Sequence, residues 1–249
     1  MIDNVIMSSN NDPTYLDHWP RVARCWRMLG FNPVLAWITD DGSRMAELER
    51  FGSVVRLYPV PGIPDGNLAK VSRMILAQQL PGINMLSDVD MMPLAGDYFR
   101  TATAEYEPGT LLSLSSDAYK KWASPNRHPI CYLVADSQAW TSLVNPCGMI
   151  EQDLIDSWRL PRGVDEKDAI EGSPFSDESL LQWMIGRWGG VVVKQTRGWT
   201  GNGIALCRVD RACWGWDENL AERGHYIDAH LPRPELSEHR LDQLEEHAR

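Results

Sequence analysis

Short apolar runs and stretches of helical spacing alternate through the first hundred residues. Val5-Ile6-Met7 is an apolar run ending in Ser8-Ser9-Asn10-Asn11, a turn signal. Val22, Cys25, Trp26 and Leu29 follow at helical spacing, and Gly30 closes that helix. Val34-Leu35-Ala36-Trp37-Ile38 reads as a buried strand running into Thr39-Asp40-Asp41-Gly42. A short helix is expected over residues 43–50, then a strand from Val54 to Tyr58. Beyond a proline- and glycine-rich loop from Pro59 to Gly66, Asn67 reads as the cap of a helix carrying Leu68, Val71, Ile75 and Gln79. The next strand, Ile83-Asn84-Met85-Leu86, runs directly into Ser87-Asp88-Val89-Asp90.

Strands and helices in strict alternation predict an α/β fold, a mostly parallel central sheet with helices on both faces. In such sheets ligands bind at the carboxyl ends of the strands. The polar clusters at residues 8–11, 39–41 and 87–90 all fall at those ends. The second half is less regular. Leu111–Leu114 and Ile130–Val134 read as strands, Asp136–Val144 as a helix. The acidic stretch 151–172 reads as a mobile loop or lid. Leu180, Leu181, Met184, Ile185 and Trp188 share a helical face ended by Gly189-Gly190, and Val191-Val192-Val193 is a further strand. The tail from Glu235 is charged and helical in pattern.

Composition narrows the class. With 43% hydrophobic residues in 249, a continuous core is available. Eleven Trp suit a core and a sugar-binding cleft equally. The net charge of -10 argues against broad binding to nucleic acid, which needs a basic surface. No run of 18 apolar residues is present, so no membrane span is expected. Met1-Ile2-Asp3-Asn4 has neither the basic start nor the apolar stretch of a signal peptide. Five scattered cysteines, at 25, 131, 147, 207 and 213, read as free thiols of a reducing, cytoplasmic compartment.

Four groups of residues carry candidate chemistry. Asp88 and Asp90, two apart just past a strand, can converge on one hard divalent cation, Mg²⁺ or Mn²⁺. A solvated turn would use the same residues. Lys70 and Arg73 share a face of the helix that precedes this strand, where cations can meet phosphate or ribose oxygens. Asp177 and Glu178 begin a helix after Ser176. There they either favour the helix dipole or act on an acceptor hydroxyl. Residues 224–234 mix His, Asp and Arg with prolines. His230 is a candidate metal ligand and Arg233 a candidate phosphate contact, on what is otherwise a surface loop. No G-x-G-x-x-G, G-x-x-x-x-G-K-[ST], H-E-x-x-H or G-x-S-x-G occurs, which weighs against Rossmann dehydrogenases, P-loop enzymes, zincins and α/β-hydrolases.

Val5 to Asn11, Thr39-Asp40-Asp41, the Lys70…Arg73 helix and Leu86-Ser87-Asp88-Val89-Asp90 together resemble a GT-A-type, D-x-D-containing nucleotide-sugar glycosyltransferase. The likeness is best over the first 100 residues. It implies a glycosyltransferase domain over 1–234, with a nucleotide-sugar-binding half over 1–100, an acceptor-binding half over 101–234 and a charged helical tail over 235–249. It further implies a UDP- or GDP-sugar donor, a glycan or other hydroxyl acceptor, and Mn²⁺ or Mg²⁺. Asp90 would be a direct metal ligand, Asp88 would meet metal or ribose, and Ser8, Asn10 and Asp40 match positions that hold base and ribose. His230 would complete the metal site, although the H-x-x-G-x-x-K-P-W signature of glycogenin-like enzymes is missing. The compact length looks like a bacterial, phage or viral enzyme. A haloacid-dehalogenase-like phosphatase, a nucleotidyltransferase and a non-catalytic nucleotide-sugar-binding module remain as alternatives.

Overall fold

The computed structural model of the chain describes residues 2–116, 127–159, 176–196, 207–211, 215–231 and 238–248. Its first half follows the pattern of the sequence closely. Strand β1 (Asn4–Ser9) leads through α1 (Pro13–Leu16) and α2 (Trp19–Met28) to β2 (Pro33–Ile38). Helix α3 (Met45–Leu48), β3 (Ser53–Leu57), α4 (Asp65–Gln79) and β4 (Ile83–Leu86) complete the alternation. Strand β1 lies between β2 and β4, parallel to both; Ile6 pairs with Val34 on one side and Leu86 on the other. Helix α4 begins three residues earlier than expected. Pro64 precedes it with φ -59, already suited to a helix start, and Asp65 favours the first turn. Asn67 therefore sits inside the helix, where its Oδ1 accepts from Lys70 Nζ at 3.2 Å.

Beyond β4 come β5 (Met91–Pro93), α5 (Gly96–Ala102), β6 (Thr110–Ser113), β7 (Leu133–Asp136), α6 (Ser137–Val144) and α7 (Glu151–Ser157). They are followed by α8 (Ser176–Ile185), β8 (Val191–Lys194), β9 (Cys207–Val209), α9 (Glu218–Glu222), β10 (Tyr226–His230) and α10 (Glu238–His247). The main sheet has the order β3-β2-β1-β4-β7-β6-β8. Only β7 runs antiparallel to its neighbours, β4 and β6. That strand starts three residues later than its apolar pattern suggests. Residues 128–132 bond elsewhere: His128 N–H donates to Glu178 O and Leu114 N–H to Tyr132 O. Residues 151–157 of the expected loop form helix α7 instead, because Leu154 and Ile155 pack into the core; residues 160–172, and Arg233, lie outside the described residues.

A second sheet, β5-β10-β9, has no counterpart in the sequence pattern. Its outer strands have three residues each, too few for a two-residue period to show. Residues 226–230, expected in a surface loop, form its central strand.

The central strands of the main sheet are buried on both faces, and their alternate residues feed two clusters, while the edge strand β8 is largely exposed. Val5, Met7, Leu35, Trp37 and Met85 face α2, α5, the small sheet and α10. Ile6, Val34, Ala36, Ile38 and Leu86 face α4, α6, α7 and α8. Trp19, Trp26, Trp37 and Trp140 are fully buried in these clusters, so core packing accounts for part of the high tryptophan count. Leu241 and Leu244 of the C-terminal helix are buried as well, which ties the charged tail into the first cluster.

Candidate active site

The polar strand ends converge. One cavity of about 490 Å³ opens at the carboxyl ends of β1 and β4. Ser8, Ser9 and Asn10 enter it from β1, and Gly66, Asn67, Lys70 and Arg73 from α4. Asp88, Val89 and Asp90 come from the link between the two sheets, Asp177 and Glu178 from the first turn of α8, Arg211 from beyond β9, and His230 from the end of β10. Parallel strands leave their C-terminal ends and the helix starts on the same side, so residues remote in sequence meet there.

The link geometry explains how both aspartates reach the cavity. Val89 is 2% exposed and belongs to the first core cluster. Residues 88–91 form a tight turn, which packs Val89 into the core while Asp88 and Asp90 line the cavity. Met91 N–H donates to Asp88 O at 3.1 Å and closes the turn; Ser87 N–H donates to Ile6 O of β1 at 2.9 Å and Leu231 N–H to Asp90 O at 2.8 Å, so it is fastened to both sheets.

Arg73 is the hub of one side. Its Nε donates to Lys70 O at 3.2 Å, Nη1 to Ser87 O at 2.8 Å and to Asp88 Oδ1, and Nη2 to Asp177 Oδ2 at 2.9 Å. Burial works against the guanidinium charge, but Asp88 and Asp177 outweigh it and hold Arg73 above its ordinary pKa. Asp177 shifts upward too. Burial raises it, and Arg73, shared with Asp88, only partly offsets that.

Asp90 is the hub of the other side. It is 3% exposed, and its Oδ2 lies 3.1 Å from Arg211 Nη1 and 3.5 Å from His230 Nε2. Strand β10 carries His230 there by pairing antiparallel to β5, with His230 opposite Met91, the residue after Asp90. Beneath it, Asp228 is fully buried and takes both Nε (2.6 Å) and Nη2 (2.8 Å) of Arg208 on neighbouring β9.

Of the residues singled out by sequence, Ser8, Asn10, Lys70, Arg73, Asp88, Asp90, Asp177, Glu178 and His230 line this one cavity. Asp40 does not. It is exposed at the end of β2, and its carbonyl accepts from Arg56 Nη2. Thr39 beside it is buried and accepts from Asn11 Nδ2 at 2.9 Å, so this strand end is joined to β1. Arg211, Asp12 and Tyr15 line the cavity without having been foreseen. Asp12 had a local signal, since it caps α1 by accepting from Thr14 N–H at 2.9 Å. Arg211 had none.

Among the described residues, no three His, Cys, Asp or Glu side chains already stand as a closed metal-binding group. The donors present still fit a divalent cation. Two ligand atoms each about 2.1 Å from a metal lie about 3.0 Å apart at a right angle and farther apart at wider angles. The 3.5 Å between Asp90 Oδ2 and His230 Nε2 falls in that range. Charge agrees with this. The described lining carries Asp12, Asp88, Asp90, Asp177 and Glu178 against Lys70, Arg73 and Arg211, a surplus of acid that repels a diphosphate arriving alone.

No protein-family model matches the chain, nor does any curated protein. Solved structures do. The galactosyltransferase LgtC, in complex with donor and acceptor sugar analogs, is 9% identical; the match covers 98% of this chain and 95% of that one at a TM-score of 0.54. An active-site mutant of LgtC is 10% identical, with 97% and 94% covered and a TM-score of 0.58. The apo form of the glycosyltransferase GlyE from Streptococcus pneumoniae TIGR4 is 13% identical and matches all of this chain at a TM-score of 0.55; the chain spans 60% of its length. At identities this low the backbone path is shared rather than the sequence, and that path is the GT-A-type glycosyltransferase fold.

Proposed function

We propose that the chain is a metal-dependent glycosyltransferase that moves a sugar from a UDP- or GDP-sugar to the hydroxyl of a glycan or other acceptor. One observation carries the reading. Asp90 and His230, 140 positions apart, come within 3.5 Å of each other in a cavity that also holds Asp88. Two carboxylates and an imidazole are a donor set for Mn²⁺, and also for Mg²⁺ through the oxygens. When bound, such a cation offsets charge on the diphosphate leaving group.

The remaining roles belong to the chain's own side chains. Ser8 and Asn10, at the end of β1, offer hydrogen bonds to ribose and base, and Lys70 offers a cation to phosphate oxygens. Arg73 acts as a positioning residue, because its donors are directed to Ser87, Asp88 and Asp177. Asp177 and Glu178, on the far wall, face the acceptor, where a carboxylate orients or deprotonates the attacking hydroxyl. On this reading residues 1–100 supply most of the donor contacts and residues 101–234 the acceptor wall together with the metal ligand His230. Among the described residues Cys25, Cys131, Cys147 and Cys207 are free thiols, which supports a reducing compartment such as the cytoplasm. Among the described residues no helix is long and apolar enough to cross a membrane.

A thermal-shift screen of UDP, GDP, dTDP and CMP compounds with and without Mn²⁺ tests the reading, since a ligand that binds the folded state raises the melting temperature. A nucleotide diphosphate should shift it only with the metal present. The lack of any metal-dependent shift sinks the proposal. Binding without hydrolysis or transfer from any donor points instead to a non-catalytic module.

A further inference from the structure

We propose that Arg211 is a placeholder cation. It neutralises Asp90 while the site holds no metal, and it turns to the donor diphosphate once a divalent cation has taken its place. This rests on the metal-dependent reading above and adds to it a coupling device.

The two partners of the Arg211–Asp90 pair differ in how they are held. The Asp90 side chain is 4% exposed, whereas that of Arg211 is 36% exposed. Asp90 sits in a turn whose backbone is bonded to the small sheet through Leu231. Arg211 lies two residues past the end of β9, so its long stem can swing while its anchor stays put. That anchor is firm, because Arg208, three residues earlier, is locked to buried Asp228.

Arg211 also occupies the oxygen that matters. Its Nη1 lies 3.1 Å from Asp90 Oδ2, the same atom that approaches His230 Nε2. A buried carboxylate is costly unless something compensates its charge. Arg211 supplies that compensation here, and a divalent cation held by Asp90 and His230 would supply more. Two cations cannot share that oxygen without repulsion, so Arg211 gives way. Its planar fork then suits the oxygens of a diphosphate in the same cavity. Arg73 does not take that part, because Asp88, Asp177 and Ser87 engage its nitrogens.

The consequence is a pair of opposite effects. Arg211 weakens binding of metal alone and strengthens binding of the diphosphate once metal is present. The two ligands therefore favour each other through one side chain.

Calorimetric titration of wild type, Arg211→Ala and Arg211→Lys tests this, first with Mn²⁺ alone and then with UDP or GDP, separately, at saturating Mn²⁺. In Arg211→Ala, Mn²⁺ alone should bind about 3- to 10-fold tighter, since a nearby like charge is gone. The better nucleotide should bind roughly 10- to 100-fold more weakly, the loss of a charge-assisted hydrogen bond. Arg211→Lys keeps the charge and should restore wild-type Mn²⁺ affinity, with only part of the nucleotide affinity. Unchanged or weaker Mn²⁺ binding by Arg211→Ala overturns the placeholder role, as does unchanged nucleotide binding. General loosening of the site would weaken both ligands together, so it cannot imitate the expected result. A different outcome marks failure of the underlying reading: wild type that takes up no Mn²⁺, or Asp90→Asn that binds it as well as wild type.

Discussion

Arg73 Nη2 lies 2.9 Å from Asp177 Oδ2, joining helix α4 to helix α8 across 104 residues of sequence. The same guanidinium holds Asp88, so a single buried cation sets the spacing of two walls of the cavity. Removing it strands Asp177, whose side chain is 7% exposed, and takes a partner from the half-buried Asp88. Arg73→Met should therefore destabilise the fold by about 3–5 kcal/mol. Urea unfolding would measure this; a loss below about 1 kcal/mol, the range of an exposed ion pair, would rule the clamp out.

Asp177 gives the clamp a pH dependence. Its folded pKa is raised above the ordinary value of 3.8, chiefly by burial. A group shifted upward contributes stability that is fully present below its unfolded pKa and is lost as pH rises through the folded one. Asp177→Asn keeps the shape and lacks the charge. It loses part of the Arg73 clamp at every pH, but relative to wild type it should gain stability as pH rises from about 4 toward 7, read from melting temperatures of both across that range. A relative loss over the same rise would reverse the assigned sign.

The Asp90–His230 pair predicts where metal affinity resides. Asp90→Asn should abolish Mn²⁺-dependent nucleotide binding. His230→Ala should weaken Mn²⁺ by at least the ~10- to 100-fold that loss of an outer-shell partner costs. Equal Mn²⁺ affinity in His230→Ala and wild type would remove His230 from the ligand set.

The Arg208–Asp228 pair underlies the strands that carry Arg211 and His230. Asp228→Ala leaves a largely buried guanidinium uncompensated and should cost about 3–5 kcal/mol. Its effect should reach the site as well. Hydrogen exchange would show faster opening of residues 226–230 than in wild type, and unchanged protection there would count against the small sheet as the support of His230.

Glu178 tests the acceptor wall. Glu178→Gln preserves size and removes the acid. If Glu178 acts on the acceptor hydroxyl, kcat should fall by roughly 10²- to 10⁴-fold, the usual contribution of a general acid or base, with the donor KM unchanged. A matching rise in donor KM would place Glu178 on the donor instead.

The strands β1 to β4 and the helices between them were legible because their signals are local. A buried strand and an amphipathic helix each carry a period that a window of a dozen residues reveals, and Gly and Pro mark the breaks. The rule that ligands gather at the carboxyl ends of parallel strands then singles out Ser8, Asn10 and Asp88-Val89-Asp90 from sequence alone. It points equally to Asp40, which the fold leaves exposed outside the cavity, because the rule picks a strand end and not the direction of a side chain.

Tertiary structure decided the rest, and the reason is range. His230 reaches Asp90 only because β10 pairs antiparallel to β5, and a three-residue strand carries too little pattern to announce that pairing. Arg73 looked like one of two cations on an open helical face, yet the packing of α4 against the sheet and α8 buries it between two acids. Arg211, a lone arginine outside any motif, owes its place beside Asp90 to contacts more than a hundred residues apart. Periodicity fixes which face a residue takes within its own element; which faces meet is set by the packing of elements against one another.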